Sequence, residues 1–232
     1  RIARPKIKSG YGIAERFGKT LRKLQEIMNA EEVTDAGYRE VLEILGKQRL
    51  DRLNPAEQLT YYNFSAAAQQ NLGDMDAALG SYRSILALDT ISYTMRDQMM
   101  FVVGQIEFSN ANYDEAIKYF YDWLKYAPTP SMTQIVMFAN IHYSIAIQDG
   151  VSPAEAERNF RSAAEFLNWA IVKAKTDGKE DKEAWYGLLR AIHNNLEEMD
   201  KALEYTELLA TRWPKKDYWM QLSGLYAQKS SE

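Results

Sequence analysis

A helical repeat is the feature that most constrains this chain of 232 residues. Four times, a small or aromatic residue is followed four positions later by an aromatic or large one, and twice a proline closes the unit. The clearest copy consists of Gly104, Ala116, Phe120, Trp123 and Pro128. Small residues at such positions let two helices approach to about 8–10 Å between their axes. The pattern therefore predicts pairs of antiparallel helices that stack side by side and bury one another.

This spacing resembles the tetratricopeptide (TPR) repeat, a helix–turn–helix unit of about 34 residues. Helix A of each unit carries a small residue where helix B crosses it, and helix B carries an alanine followed by a large residue four positions on. On this register we predict about five repeats, the first of them degenerate. The crossing and core positions are Leu42 and Leu45 in repeat one; Ala66, Ala78, Tyr82 and Ile85 in repeat two; Gly104, Ala116, Phe120 and Trp123 in repeat three; Ala139, Ala163, Leu167 and Ala170 in repeat four; and Ala202 and Leu209 in repeat five, which Pro214 closes.

We therefore predict an all-α fold, a TPR-type α-solenoid of about eleven helices in a right-handed superhelix, with over about 70% helix and no strands. A single solenoid is expected to span residues 1–232. Its expected parts are a basic N-terminal arm at 1–8, a degenerate first repeat at 9–52 with a first helix from about Ser9 to Ala30, TPR repeats at 59–216, and a capping helix at 217–229 with Gly224 at its crossing.

Helix starts are predicted from capping boxes, in which a polar side chain precedes a helix and Glu or Gln follows three positions later. The pairs that fit this pattern are Asn54 with Glu57, Asn112 with Glu115, Ser131 with Gln134, and Ser152 with Glu155. A proline at the first helical position follows two of these caps, where its missing N–H costs nothing.

The charge and hydropathy of the chain restrict the classes of partner that it can bind. A net charge of −4 argues against general nucleic-acid binding, and no apolar run reaches the roughly 18 residues that a transmembrane helix needs. The charge is uneven, because residues 1–23 are strongly basic: Arg1, Arg4, Lys6, Lys8, Arg16, Lys19, Arg22 and Lys23 stand against the single acid Glu15. This segment could contact acidic partners or anionic lipid, and the alternative is a solvated first helix without such a role.

Catalytic and metal-binding patterns are missing from the sequence. There is no cysteine, which excludes disulfides, thiol catalysis and cysteine-ligated zinc. Neither His142 nor His193 has a second metal-type ligand three or four residues on, so both are interpreted as packed histidines. The run from Gly12 to Gly18, Lys19 and Thr20 has one residue too many for a phosphate-binding loop. We expect no enzymatic activity, no cofactor and no metal.

The TPR resemblance implies where a partner would bind, because the inner face of such repeats is lined by fixed positions of each helix A. Here these positions are rich in amides and aromatics and almost uncharged. The candidate groove residues are Asn63, Gln70, Gln98, Phe101, Gln105, Phe108, Asn140, Tyr143 and Asn194. Phe101, Phe108 and Tyr143 are expected to share one concave face as anchors. The set lacks the Lys/Arg clamp of chaperone-binding TPRs, and the alternative is that these residues only pack within a tight superhelix.

Two segments resemble a narrower family. Residues 182–191 (KEAWYGLLRA) and 213–226 (WPKKDYWMQLSGLY) are similar to periplasmic TPR proteins of Gram-negative bacteria encoded beside TonB–ExbB–ExbD energy-transduction genes, as are residues 53–57 and 62–64. The resemblance covers roughly residues 53–228 and is weakest in repeat four. It implies a secreted, non-enzymatic accessory protein whose partner is a TonB, ExbB or ExbD component or an outer-membrane transporter.

The expected location follows from the same resemblance. The chain begins at Arg1 rather than methionine, so we expect that a segment was removed, either a signal peptide or part of a trimmed chain. The periplasm is the predicted compartment. The alternative is a cytoplasmic TPR adaptor of an unrelated complex.

Overall fold

Eleven α-helices make up the part of the chain that the computed structural model describes, namely Arg4, residues 6–127 and residues 129–229, and no strand occurs there. The helices are α1 (Glu15–Met28), α2 (Asp35–Gly46), α3 (Pro55–Asn71), α4 (Met75–Ala87), α5 (Tyr93–Ser109), α6 (Tyr113–Leu124), α7 (Met132–Ala146), α8 (Pro153–Thr176), α9 (Glu183–Asn195), α10 (Met199–Arg212) and α11 (Lys216–Lys229), with a 3-10 turn at Leu50–Arg52. The expected all-α architecture is confirmed. Contacts divide the chain into two units, Arg1–Ala127 and Pro128–Glu232.

In the first unit, each helix from α1 to α6 packs against the next one along the chain, and α1 also reaches α3. Ala66 of α3 and Ala78 of α4 are both buried, as expected for a close crossing between the two helices of one repeat. Leu45 is buried in a cluster with Leu24 and Val41, and Leu42 packs against that cluster. Residues of α3 belong to the same cluster, so the core of the degenerate first repeat continues into the second repeat.

The crossing of α5 and α6 depends on the absence of a side chain at Gly104. A Cβ atom placed on Gly104 would lie 2.8 Å from the ring of Phe120, which is closer than such atoms approach. Phe120 and Ala116 are fully buried, and Trp123 is nearly so. The crossing positions predicted for repeat three are therefore confirmed, while Pro128 lies outside the described residues.

In the second unit, α7 packs on α8, α8 on α9, α9 on α10, and α10 on α11. One continuous core joins the first four of these helices. Its members include the predicted crossing and core residues Ala139, Ala163, Leu167, Ala170 and Leu209, all fully buried.

Two of the predicted capping boxes are complete. The side chain of Asn54 accepts hydrogen bonds from the backbone N–H groups of Ala56 and Glu57, and the Glu57 carboxylate accepts one from the Asn54 N–H. Ser131 and Gln134 form the same reciprocal pair at the start of α7. Ser152 caps α8 by accepting from the N–H of Glu155. These bonds satisfy backbone donors that a helix N-terminus leaves unpaired.

The box predicted at Asn112 and Glu115 is wrong. Asn112 makes no capping bond, and its amide instead donates to Oε2 of Glu107 at 3.0 Å. Glu107 is almost fully buried and pairs with Arg83. A buried carboxylate needs hydrogen-bond donors, so the side chain of Asn112 is drawn inward rather than over the start of α6.

Two other expectations fail. Helix α1 begins at Glu15 rather than near Ser9, since Gly10 adopts a φ of +107° that a helix cannot contain. Gly224 does not lie at a crossing, because nothing within 4 Å would meet a Cβ there. Helix α11 contacts α10 through Leu222 and Leu225, on a different side of the helix.

Glu198 ties three helices of the second unit together. It accepts hydrogen bonds from Lys201 at 3.0 Å and from Arg161 of α8 at 2.9 Å, and its Oε2 lies 2.7 Å from Nδ1 of His193 on α9. Lys201, Arg161 and His193 together lower the pKa of Glu198 from 4.5 to about 2, against a smaller opposing effect of burial. The carboxylate therefore stays ionised to unusually low pH.

We predict that Gly104→Ala and Gly80→Ala have opposite effects on the free energy of unfolding. Adding a methyl group at Gly104 forces it against Phe120 and should cost about 1–3 kcal/mol. Gly80 lies in an exposed helix position with nothing within 4 Å, so alanine there should stabilise by about 0.5–1 kcal/mol through its helix preference. Urea unfolding of both variants and the parent measures this, and equal shifts would contradict the crossing.

We predict that Glu198→Gln destabilises the protein by about 1–2 kcal/mol at neutral pH, since its charge-assisted bonds are partly screened by solvent. A carboxyl whose pKa is lowered on folding stabilises the folded state above its unfolded pKa of 4.5, and that contribution disappears as the pH falls towards about 2. The difference from the parent should therefore shrink across this window. Unfolding at several pH values checks it, with Glu204→Gln, an exposed position on α10, as the matched control variant.

Candidate protein-interaction surface

The candidate groove residues of α5 form one stripe along that helix, which we call the α5 stripe: Gln98, Phe101, Gln105 and Phe108. Their spacing of three, four and three residues places them on one face of an α-helix. Gln98 is exposed and the other three are partly buried. The α5 stripe contains no ionisable side chain, so its chemistry is limited to amide hydrogen bonds and aromatic contact.

Both phenylalanines of the α5 stripe also pack within their own repeat. The ring of Phe101 lies 5.2 Å from the ring of Phe120 and 4.9 Å from that of Trp123, measured between centroids. The ring of Phe108 lies 5.5 Å from that of Tyr113 at the start of α6. Each ring thus shares its surface between the repeat core and the outside, and replacing Phe101 by alanine would remove core contacts as well as a binding surface.

The two candidates on α3 differ in their surroundings. Asn63 is partly buried, whereas Gln70 is exposed near the end of the helix. The Oε1 atom of Gln70 accepts a hydrogen bond of 2.6 Å from the hydroxyl of Tyr82 on α4, and partial burial raises the pKa of that hydroxyl. Gln70 is therefore partly engaged in joining the helices of its own repeat.

The remaining candidates belong to the second unit. Asn140 and Tyr143 lie three residues apart on α7, and both are partly buried. The ring of Tyr143 meets the ring of Phe160 on α8 edge-on, with centroids 5.8 Å apart. Asn194 is exposed near the end of α9. That Tyr143 shares a concave face with Phe101 and Phe108 stays a prediction.

Both histidines are buried and stack on an aromatic ring. His142 is buried, its Nδ1 atom lies 2.8 Å from Oδ1 of Asn159, and its ring stacks on Phe166. Burial lowers the pKa of His142 despite the hydrogen bond with Asn159. His193 stacks on Tyr205 in the same way. Among the described residues no group of three or more His, Asp or Glu is arranged to hold a metal ion, and no helix there is both long and apolar enough to cross a membrane.

The N-terminal segment makes contacts with the first unit that the sequence did not predict. Residues 6–14 run without secondary structure across the first unit, fixed at several points. Lys8 donates its N–H to the Asp89 carbonyl at 3.0 Å, and Ala14 donates to Oε1 of Glu57 at 3.0 Å. The Asn54 amide donates to the Gly12 carbonyl at 2.9 Å. Arg1 and three other residues of the predicted basic arm lie outside the described part of the chain.

One signal in the sequence was available for this segment. Arg4, Lys6 and Lys8 recur at every second position, which is the period of an extended chain rather than of a helix. Glycines at positions 10 and 12 follow directly and disfavour a helix there. What the sequence does not indicate is which acidic groups Arg4 and Lys8 meet, because Asp97 and Asp89 lie far away along the chain.

Comparison with known proteins finds structures that share this fold. No protein-family model and no curated protein matches the sequence. Among solved structures, MamA (41-end) from Desulfovibrio magneticus RS-1 aligns at a TM-score of 0.54 and 14% identity, covering 75% of this chain and 86% of that one. A second MamA structure gives 0.55 and 18%, covering 75% and 84%.

The apo form of RapI aligns at a TM-score of 0.58 and 13% identity, over 91% of this chain, which spans 60% of the RapI chain. With the helix crossings described above, these likenesses confirm the all-α TPR-type solenoid fold. At such low identity they concern the fold alone.

Proposed function

We propose that this chain is a non-enzymatic scaffold that binds a protein or peptide partner through the α5 stripe and the neighbouring helix A positions. The observation that carries the proposal is the uncharged, amide-lined and aromatic α5 stripe on a TPR-type solenoid. Gln98 and Gln105 can each donate and accept hydrogen bonds, which suits the backbone of a partner segment. The exposed parts of Phe101 and Phe108 supply the apolar contact area between them.

We further propose that the protein acts in the periplasm as an accessory of TonB-dependent energy transduction and uptake. The support is the resemblance of residues 182–191 and 213–226 to periplasmic TPR proteins encoded with TonB systems. The partner would then be a TonB, ExbB or ExbD component or an outer-membrane transporter. A cytoplasmic adaptor role is the competing hypothesis.

We predict that binding to periplasmic fragments of TonB or ExbD weakens by about 2 kcal/mol or more when anchors of the α5 stripe are removed. The variant is Gln98→Ala/Gln105→Ala/Phe108→Ala, which leaves Phe101 in place because its ring supports the repeat core. The matched control is Gln25→Ala, an exposed helical glutamine of α1. Calorimetric titration measures the affinity, and a melting curve verifies that the variant is folded.

The dependence of affinity on salt concentration distinguishes binding through amides and aromatic rings from binding through ion pairs. Binding through amides and aromatics should change little between low and high salt, whereas a groove that relies on ion pairs loses affinity steeply. Unaltered affinity in the folded triple variant would place the partner away from the α5 stripe. Absence of binding to both fragments would contradict the TonB assignment but not the scaffold role. Co-purification would then identify the actual partner.

The location has a separate test. The reading frame upstream of Arg1 should encode a basic start, an apolar core and a small-residue cleavage site if the protein is exported. An upstream segment that continues as a polar, soluble helix would support the cytoplasmic hypothesis instead.

A further inference from the structure

Arg4 occupies a cage built from the start of α5 and the turn after α6. Its guanidinium makes a fork of two parallel hydrogen bonds to the Asp97 carboxylate, Nη1 to Oδ1 at 2.9 Å and Nη2 to Oδ2 at 2.8 Å. Nη2 also donates to the backbone carbonyl of Tyr126 at 2.9 Å. The hydrogen bonds to Asp97 raise the pKa of Arg4, against the opposing effect of burial. A planar fork with five fixed donors is what only arginine offers among the side chains.

Two tyrosine rings complete the cage. The guanidinium carbon of Arg4 lies 5.1 Å from the centroid of the Tyr93 ring and 4.8 Å from that of Tyr126. A cation within about 6 Å of an aromatic centroid is attracted by the negative face of the ring. Carboxylate, carbonyl and two rings therefore surround the guanidinium, and we call Asp97, Tyr93 and Tyr126 the arginine cage.

The arginine cage stays accessible while it is filled. The side chain of Arg4 keeps 25% of its surface exposed and that of Asp97 19%, and Tyr93 is exposed as well. Among the described residues beside Arg4, Lys8 meets Asp89 through an ion pair that is exposed on both sides and through the backbone bond described above. Exposed ion pairs contribute at most about 1 kcal/mol, so this ion pair adds little to the free energy that keeps Arg4 in the arginine cage.

We propose that the arginine cage is a binding site for an arginine side chain presented by an extended segment of a partner protein, and that Arg4 occupies it as an internal substitute. The chain itself shows the ligand chemistry, since an arginine of its own N-terminal part fills the site. Tethering keeps the internal arginine at a high effective concentration, so a partner must compete with it.

This proposal does not rest on the one for the α5 stripe. The arginine cage lies at the N-terminal end of α5, where Asp97 directly precedes Gln98, and it works by charge and cation–π contact. It should therefore be salt-sensitive, whereas the α5 stripe should not.

The test empties the arginine cage in the full chain. In Arg4→Ala the site is vacant while residues 8–14 keep their other anchors. The probes are N-acetyl-arginine amide and N-acetyl-lysine amide, followed by NMR of ring-labelled tyrosine at Tyr93 and Tyr126. The arginine probe should bind about tenfold more tightly than the lysine probe, because an ammonium cannot form the two-bond fork.

Three further arms decide the result. The parent chain should show little binding of either probe, because Arg4 fills the cage. Adding Asp97→Asn to Arg4→Ala should weaken the arginine probe about tenfold. The control Arg39→Ala, which removes an exposed arginine of α2 that pairs with Asp35, should behave as the parent does.

Equal affinity for the two probes in Arg4→Ala, or no saturable binding of the arginine probe, would overturn the proposal. Equal shifts of both tyrosines in the parent and in Arg4→Ala would do the same, since binding would then lie elsewhere. Arg4→Lys is a second variant that keeps the positive charge, and the arginine probe should displace its lysine from the cage more readily than it displaces Arg4.

Discussion

Close contact between the two helices of a repeat is the constraint on which the packing of the first unit depends. At Gly104 the ring of Phe120 fills the space that a side chain would take, and Ala66 with Ala78 serves the same purpose one repeat earlier. Because interiors are packed as densely as crystals, a single added methyl group must displace its neighbours. The separation of α5 and α6, and with it the presentation of the α5 stripe, depends on this contact.

Features that depend on neighbours close in sequence were predictable. The crossing residues follow a fixed spacing, and the capping boxes at Asn54 and Ser131 involve residues three positions apart. Where a distant group competes, local reasoning fails. Asn112 has the sequence of a cap, but the buried carboxylate of Glu107 takes its amide.

The candidate site was predictable only as a pattern. Helical spacing correctly aligned the four residues of the α5 stripe on one helix. It gave no information on how far each ring enters the repeat core, which is decided by Phe120 and Trp123 of the next helix. The arginine cage was beyond sequence reasoning, since Arg4 and Asp97 are 93 positions apart and no local rule links them.

The N-terminal segment also has a consequence for the order of events in folding. Arg4 donates to the carbonyl of Tyr126, which follows it by 122 positions. A chain folds as it emerges from the ribosome, N-terminal part first, so this segment is synthesised long before its acceptor at the end of α6 exists. The hydrogen bond from Arg4 to Tyr126 can therefore form only after the helices of the first unit have been synthesised. Until then the guanidinium of Arg4 lacks this acceptor.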